Sequence, residues 1–436
     1  MKKIVLSIAA AVAATAVAPE ASAVPAFARQ TGMACNACHQ QHYPVLNGFG
    51  QAFKAAGYTM MGAQGKVEGE HLSIPDTLNA ALLLKARYQK SNGADPAGTV
   101  SGTTTNSGQW QIPDEFSLFF GGRIAENMGF MMENNVVGGP LGGIVAGFKL
   151  PIVFDMGGAK ILAIPFLTDA LGVAYGYDES STGMVRGIRW MEHRAEISAM
   201  QYVGNGAGAA TGVAVVIKGD MGYINLTRFA PDFAAAAGAT SPQLRSNFVR
   251  IAATPTVGDW AMHIGAAFTS GQSYLGAANN VGLAATAGGV VTVVPGVPTL
   301  VETRASSLDF QAQGQMGGKD LSVYATYARA PGAAVGALPN LYNQTAAGVN
   351  RPNARTAWTI GADYSVIPHT LHIGAAYRAA DTGAAANNKD NAFTVAAVYD
   401  LTQNVALHLN HSAYSGGART AAQGNALTTF MLEAAW

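Results

Sequence analysis

From about Leu78 to the C-terminus, apolar and polar residues alternate with a period of two. In Leu308-Asp309-Phe310-Gln311-Ala312-Gln313-Gly314-Gln315-Met316, one face is apolar and the other carries Asp309, Gln311, Gln313 and Gln315. Leu371, Ile373, Ala375 and Tyr377 alternate with His372, Gly374, Ala376 and Arg378. Val405, Leu407 and Leu409 alternate with His408, Asn410 and Ser412, and Phe116, Leu118 and Phe120 interleave with Glu115, Ser117 and the nearby Arg123. Segments of about ten residues that turn apolar side chains one way and polar ones the other are expected of strands in a membrane barrel. Half-buried strands of a soluble sandwich alternate too, so the decision rests on number and connection. About sixteen such segments can be laid out. Short turns such as Gly317-Gly318 and Thr402-Gln403 contrast with long Gly/Ala/Asn-rich links, Gly276 to Glu302 and Gly332 to Arg351. Short periplasmic turns and long external loops have that asymmetry. The chain ends on a strand, Thr428 to Trp436, with Phe430, Leu432, Ala434 and Trp436 on one side. The expected fold is mainly β: a transmembrane antiparallel barrel over residues 76–436.

Before this region the period is different. Leu46, Phe49, Phe53 and Ala56 recur at three- and four-residue spacing between Pro44 and Gly57, which predicts a helix with one apolar stripe. Earlier still, Lys2 and Lys3 precede an apolar run from Ile4 to Ala18 and the small-residue pattern Ala21-Ser22-Ala23. That is the layout of a secretory signal peptide cleaved after Ala23. The run is short and Ala-rich for the alternative, a membrane anchor.

Composition narrows the class. Charged residues make up 12% of the 436 residues and Gly is abundant, at 52, whereas soluble domains carry about a quarter charged residues. No later stretch offers about 18 consecutive apolar residues, so membrane-spanning helices are not expected. The formal net charge is zero without a basic block, and nucleic acid is not an expected partner.

Both cysteines of the chain lie in Cys35-Asn36-Ala37-Cys38-His39, the spacing of a c-type haem attachment site. Two thiols one helical turn apart can add to the two vinyl groups of one haem, with His39 as proximal ligand to its iron. A redox dithiol would want a βαβ context, and a zinc half-site would want two further ligands. For the distal side, Met60 and Met61 follow the Gly57 stop, where the chain can fold back; His71, His42 and Met33 compete. His42 lies one turn from His39 and shares its side. A His/Met pair raises the potential and a His/His pair lowers it. The apolar stripe can cover a haem face, and residues 24–75 are too few to enclose one alone, so the barrel must supply the remainder. Lumen-facing Asp309, Glu433 and His408 are further candidates to tune it, although polar inner faces are also what barrels have.

The run from Ala26-Phe27-Ala28-Arg29-Gln30-Thr31-Gly32-Met33-Ala34-Cys35 through Cys38-His39, Tyr43-Pro44-Val45-Leu46, Phe49-Gly50, Phe53-Lys54 and Gly57-Tyr58 resembles the fused outer-membrane cytochrome–porin family of iron-oxidising bacteria. The likeness is dense over residues 25–62 and architectural beyond them; Gln51 stands where the family more often has a basic residue. The resemblance implies a monohaem cytochrome segment plugging an outer-membrane barrel. It implies oxidation of extracellular Fe(II), with electrons passed to a periplasmic c-type cytochrome. It transfers no iron-contact residue onto this chain, and the external loops carry few of the oxygen ligands that hard divalent ions prefer. Two other functions remain open on the residues alone. One is a haem-plugged conduit for another extracellular donor or acceptor; the other is a diffusion porin with a structural haem.

Overall fold

The computed structural model describes residues 25–41, 43–62, 64–94, 104–136, 145–168, 174–180, 198–233, 243–275, 283–285, 291–293, 299–334, 336–343, 350–421 and 423–436. The expected signal peptide, His42 and most of the 276–298 link lie outside these residues. Three short helices open the described chain: α1 (Pro25–Thr31), α2 (Cys35–Cys38) and α3 (Gly48–Ala55). A separate hairpin, β1 (Lys66–Gly69) and β2 (Leu72–Pro75), follows.

The remaining strands are β3 (Ala80–Ser91), β4 (Gln109–Ala125), β5 (Met128–Asn135), β6 (Val145–Lys149), β7 (Ile152–Asp155) and β8 (Lys160–Thr168). After helix α4 (Ala199–Val203) come β9 (Ala210–Gly219), β10 (Gly222–Ala230), β11 (Ser246–Ala253), β12 (Thr256–Val257) and β13 (Trp260–Leu275). A small hairpin, β14 (Leu283–Ala285) and β15 (Val291–Val293), precedes β16 (Thr299–Glu302), β17 (Ala305–Met316), β18 (Lys319–Ala330) and β19 (Arg355–Ile367). The last four are β20 (Leu371–Asp381), β21 (Asn391–Thr402), β22 (Val405–Ser415) and β23 (Ala426–Ala435).

Except for the two small hairpins, these strands form one closed antiparallel barrel. Closure comes from β23 pairing with β3, Leu427 opposite Ser91 through Ala435 opposite Leu83. Three pairs of segments, β6/β7, β11/β12 and β16/β17, are successive pieces of single staves, because each pair shares a neighbouring strand. The described wall therefore has sixteen staves. Closure pairs every stave on both sides, which a wall in a medium without water requires. Among the described residues no helix is long and apolar enough to cross a membrane; the strands are the elements with that reach.

Burial confirms the register read from the alternation, with the sense a membrane barrel demands. On β17, Leu308 is 57% exposed while Asp309, Gln311 and Gln313 are buried. On β22, Leu409 is exposed while His408, Asn410 and Ser412 are buried; on β23, Phe430 and Trp436 point out while Thr429 and Glu433 point in. A soluble sandwich would bury its apolar face. Here the apolar face is outside.

All the short turns gather at one rim. Gly317 and Gly318, with φ of 63° and 72°, make the two-residue turn between β17 and β18, a conformation that favours glycine. The turn between β21 and β22 is Gln403-Asn404, one residue later than expected, because Thr402 still belongs to β21. Likewise Glu302 belongs to β16, so the preceding link is shorter than the sequence suggests. The longer links lie at the opposite rim, since alternate connections of an antiparallel barrel share one end.

One of those links folds inward. Ala174, Tyr175, Tyr177, Asp178 and Glu179 are at most 1% exposed, and Ser198, Ala199, Met200 and Asn205 around α4 are equally buried. Tyr175, Tyr177 and Met200 pack with Leu162, Ile164, Phe166, Ala214 and Val216 of β8 and β9. Ala199 N donates to Thr326 Oγ1 at 3.0 Å, and Asn205 donates to Ser307 Oγ at 2.9 Å. The described residues of the link between β8 and β9 thus lie in the lumen.

Candidate functional site

The N-terminal helices lie against the inside of the wall near the short-turn rim. Arg29 of α1 donates to the Ala80 carbonyl at 2.5 Å. Gln30, fully buried, donates from Nε2 to the carbonyls of Tyr58 and Met60 and accepts at Oε1 from Arg123 N of β4. One amide side chain therefore ties α1, the stretch after α3 and the wall together. Gln41 donates to the Asp320 carbonyl at 3.0 Å, and Lys54 donates to the Asp178 carbonyl of the in-folded link. Backbones meet at Gly129 of β5, where a Cβ would lie 2.0 Å from the Gly57 carbonyl oxygen. These partners come from widely separated staves, so the segment crosses the lumen.

Helix α3 begins at Gly48 rather than at Pro44. Asn47 takes the N-cap position and its side chain accepts from Gly50 N at 3.0 Å, satisfying one of the donors a helix start leaves open. Pro44 instead sits in the preceding turn, and Leu46 forms an isolated bridge with His39. The helix ends as expected: Gly57 has φ of 67°, and Tyr58 N reaches back to the Phe53 carbonyl at 3.2 Å, the glycine-terminated stop of many helices. Of the stripe, Phe53 is buried against Phe27 and Tyr58, with ring centroids 5.2 and 5.9 Å away, while Phe49 stays 39% exposed. Gly50 is held close to the thiol-bearing turn; a Cβ there would lie 2.2 Å from the Cys38 carbonyl oxygen.

Cys35 and Cys38 bound the single turn α2 and are not joined to each other in a disulfide. Burial pushes the Cys35 thiol up to about 12, with the Asp400 carboxylate and Cys38 adding to it. Burial also raises Cys38. His39 follows directly, its Nδ1 3.3 Å from the Val45 carbonyl. A hydrogen bond from Nδ1–H to a carbonyl selects the tautomer that leaves Nε2 with its lone pair for a metal.

Beside Cys35 and His39 opens a shallow cleft, also lined by Tyr43 and by His369, Asp400 and Gln403 from the rim of the barrel. Cys35 Sγ is 3.5 Å from the Gln403 carbonyl, 368 positions away in sequence. Gln403 Oε1 is buried there without a hydrogen-bond partner among the described residues. Two thiols one turn apart, an oriented imidazole and an adjoining cleft are compatible with a haem c, which Cys35, Cys38 and His39 would hold.

The other candidates lie elsewhere. Met60 and Met61 do not line the cleft; the Met60 backbone is held by Gln30. His71 is on the turn of the β1–β2 hairpin with its side chain 92% exposed, and Met33 is 40% exposed. His42 lies outside the described residues. Asp309 pairs with Arg250, and Glu433 lies 3.6 Å from Lys85 and 3.8 Å from His408; none of Asp309, Glu433 and His408 lines the cleft. They belong to the polar inner wall.

Reading the sequence missed His369, Asp400 and Gln403, and it missed the in-folded link. Arg250, fully buried, donates to Asp178 of that link at 3.0 Å and to Asp309 of β17 at 2.9 Å; Tyr223 donates to Asp178 at 2.7 Å. Burial by itself would raise the Asp178 carboxyl, but the Arg250 and Lys54 charges and the Tyr223 hydroxyl hold it below the usual carboxylate range. Around this pair stand Tyr177, whose ring lies 5.3 Å from that of Tyr223, and Tyr175, whose hydroxyl is 3.1 Å from that of Tyr342.

No protein-family model matches the chain, and no curated protein matches it. Among solved structures it is similar to OprB of Pseudomonas putida, at 9% identity over 82% of this chain and 94% of that one, with a TM-score of 0.51. The outer membrane channel DcaP of Acinetobacter baumannii aligns at 11% identity over 82% and 97% of the two chains, with a TM-score of 0.46. OmpT of Vibrio cholerae, expressed in the outer membrane, aligns at 11% identity over 85% and 100%, with a TM-score of 0.44. At these identities the likeness is one of fold.

Proposed function

We propose that this chain is an outer-membrane electron-transfer protein that oxidises extracellular Fe(II) at a single covalent haem c and delivers the electrons to a periplasmic c-type cytochrome. The observation that carries the reading is the Cys35/Cys38/His39 turn beside a cleft at the short-turn rim of the barrel. A haem bound there supplies reversible one-electron chemistry, with a potential set by axial ligands, burial and hydrogen bonds.

The chain's own residues do the rest. His39 is oriented by the Val45 carbonyl. Gln30 and the close approach of Gly57 to Gly129 hold the segment against the wall. The described residues of the in-folded link, among them Tyr177, Asp178 and α4, lie buried in the lumen. Aromatic and hydrogen-bonded residues of that link thus occupy part of the lumen, an arrangement that favours passage of an electron over passage of a solute. The short-turn rim is the periplasmic side by the loop asymmetry, which leaves the cleft within reach of a soluble carrier. Fe(II) as the donor rests on the N-terminal resemblance.

The test uses the full chain from cells with working cytochrome c maturation. The peptide containing Cys35 and Cys38 should carry one haem mass. In vesicles, Fe(II) added on the external-loop side, with a chelator to limit uptake, should reduce the ferric haem, and a soluble ferric cytochrome c inside should reoxidise it. A haem that stays ferric under Fe(II) yet is reduced by a strong general reductant would assign the conduit to another donor.

A further inference from the structure

We infer that His369, on the short turn between β19 and β20, is the second axial ligand of the iron in the haem c held by Cys35, Cys38 and His39, so that wall and N-terminal segment grip one cofactor. The assignment rests on the haem reading above and adds a ligand that neither the attachment motif nor its neighbourhood in sequence contains.

Three observations carry it. First, His369 lines the same cleft as Cys35 and His39. Second, its ring is uncommitted: among the described residues it has no hydrogen bond, ion pair or ring contact. By contrast, His372 is engaged with Ser365 and Asp400 at 3.0 Å each and His411 with Thr428 at 2.9 Å. An imidazole with both nitrogens available is a ready iron ligand. Third, the turn that carries it is fixed. Thr370 N donates to the Ile367 carbonyl at 3.0 Å, and the Thr370 carbonyl accepts from Asp400 N at 2.8 Å. His369 itself holds a φ of 57°, sparsely populated by residues other than glycine. A ligand on a braced turn loses little conformational freedom on binding.

The methionines do not meet these conditions. Met60 and Met61 lie outside the cleft, in a stretch pinned by Gln30 to Arg123 of the wall. A His39/His369 pair predicts a lower potential than the His/Met pair expected from the sequence.

The experiment compares the full-length chain with His369→Ala, His369→Met, Met60→Leu and Met61→Leu, all purified with the haem attached. Unsubstituted ferric protein should be low-spin without a sulfur-to-iron charge-transfer band. His369→Ala should convert the bulk of the haem to high-spin, and added imidazole should restore the low-spin spectrum. His369→Met should gain the sulfur band and a higher potential. Neither Leu variant should change the spectrum. If His369→Ala stays low-spin with its haem mass intact, or Met60→Leu or Met61→Leu abolishes the low-spin state, the assignment is overturned while the haem reading stands. If the unsubstituted chain carries no haem mass, both fall together.

Discussion

The outer faces of β8 and β9 and of β21 and β22 are alike, and their inner faces are not. Outward, Val213, Val215 and Ile217 match Phe393, Val395 and Leu409, all apolar and 39–51% exposed. Inward, β8 and β9 present Leu162, Ile164, Phe166, Ala214 and Val216, whereas β21 and β22 interleave Thr394, Asp400, His408, Asn410 and Ser412 with Ala396, Val398 and Ala406. Lipid imposes one requirement on every stave, so the outside is uniform. The inside answers to whatever lies against it. The apolar inner sector packs Tyr175, Tyr177 and Met200 of the in-folded link; in the mixed one, Asp400 at the rim adjoins the cleft with Cys35 and His39. The inner wall of a barrel is thus a record of its contents.

Several substitutions would break or sharpen this contrast. The largest effect is expected at Arg250, which joins the in-folded link to the wall. Arg250→Met leaves Asp178 and Asp309 buried without their shared cation, a change of about 3–5 kcal/mol. Denaturant unfolding in detergent should show the loss, together with new solute conductance if the link releases. An unchanged midpoint would mean that the link is held by packing alone.

Next comes the direct comparison of inner faces. Ile164→Ala in the apolar sector should cost about 2–5 kcal/mol, as a cavity against the in-folded link. Ser412→Ala removes one hydroxyl that meets Thr394 Oγ1 at 2.6 Å and should cost only about 0.5–1.5 kcal/mol. Equal costs would show that the two sectors are filled alike. On the outer face the contrast should vanish: Val215→Arg and Leu409→Arg should each impair assembly by roughly 2–4 kcal/mol near the bilayer midplane, read from the folded fraction in vesicles.

Smaller effects concern the helix and the link. Asn47→Ala removes the cap of α3 and should cost about 1 kcal/mol, measurable as faster proteolysis of the N-terminal segment with the barrel intact. The depressed Asp178 carboxyl sets a pH dependence with a definite sign. Its contribution is fully present above the ordinary carboxylate range and is lost as pH falls through that range toward its lower folded value. Conductance should therefore stay constant between about pH 5 and pH 8 and rise only below about pH 4. Opening on mild acidification to about pH 6 would point to a histidine instead.

The clarity of the sequence pattern follows the same division. Strands β17 and β22 alternate most cleanly because polar residues interrupt their inner faces, Asp309, Gln311 and Gln313 on one and His408, Asn410 and Ser412 on the other. β8 reads as a nearly unbroken apolar run, Ile161 to Leu167, because it packs on both sides, and period-two reasoning has little hold on such a strand. At the N-terminus, apolar spacing located the helix, and the capping Asn47 decided where it begins.

What the amino-acid sequence determined by itself is whatever depends on neighbours a few positions apart. The outward apolar face follows from alternation along each strand, and the pairing of Cys35 with Cys38 and His39 follows from one turn of backbone. What only the tertiary structure decided is which distant residues share a space. Closing β23 onto β3 brings the short turns to one rim, and so places His369, Asp400 and Gln403 beside Cys35. A single polar residue in a short turn has no periodic signature, and its direction depends on the curvature of the whole ring. The in-folded link is hidden for the same reason: Asp178 is an ordinary loop carboxylate until Arg250, from a different stave, meets it inside the lumen.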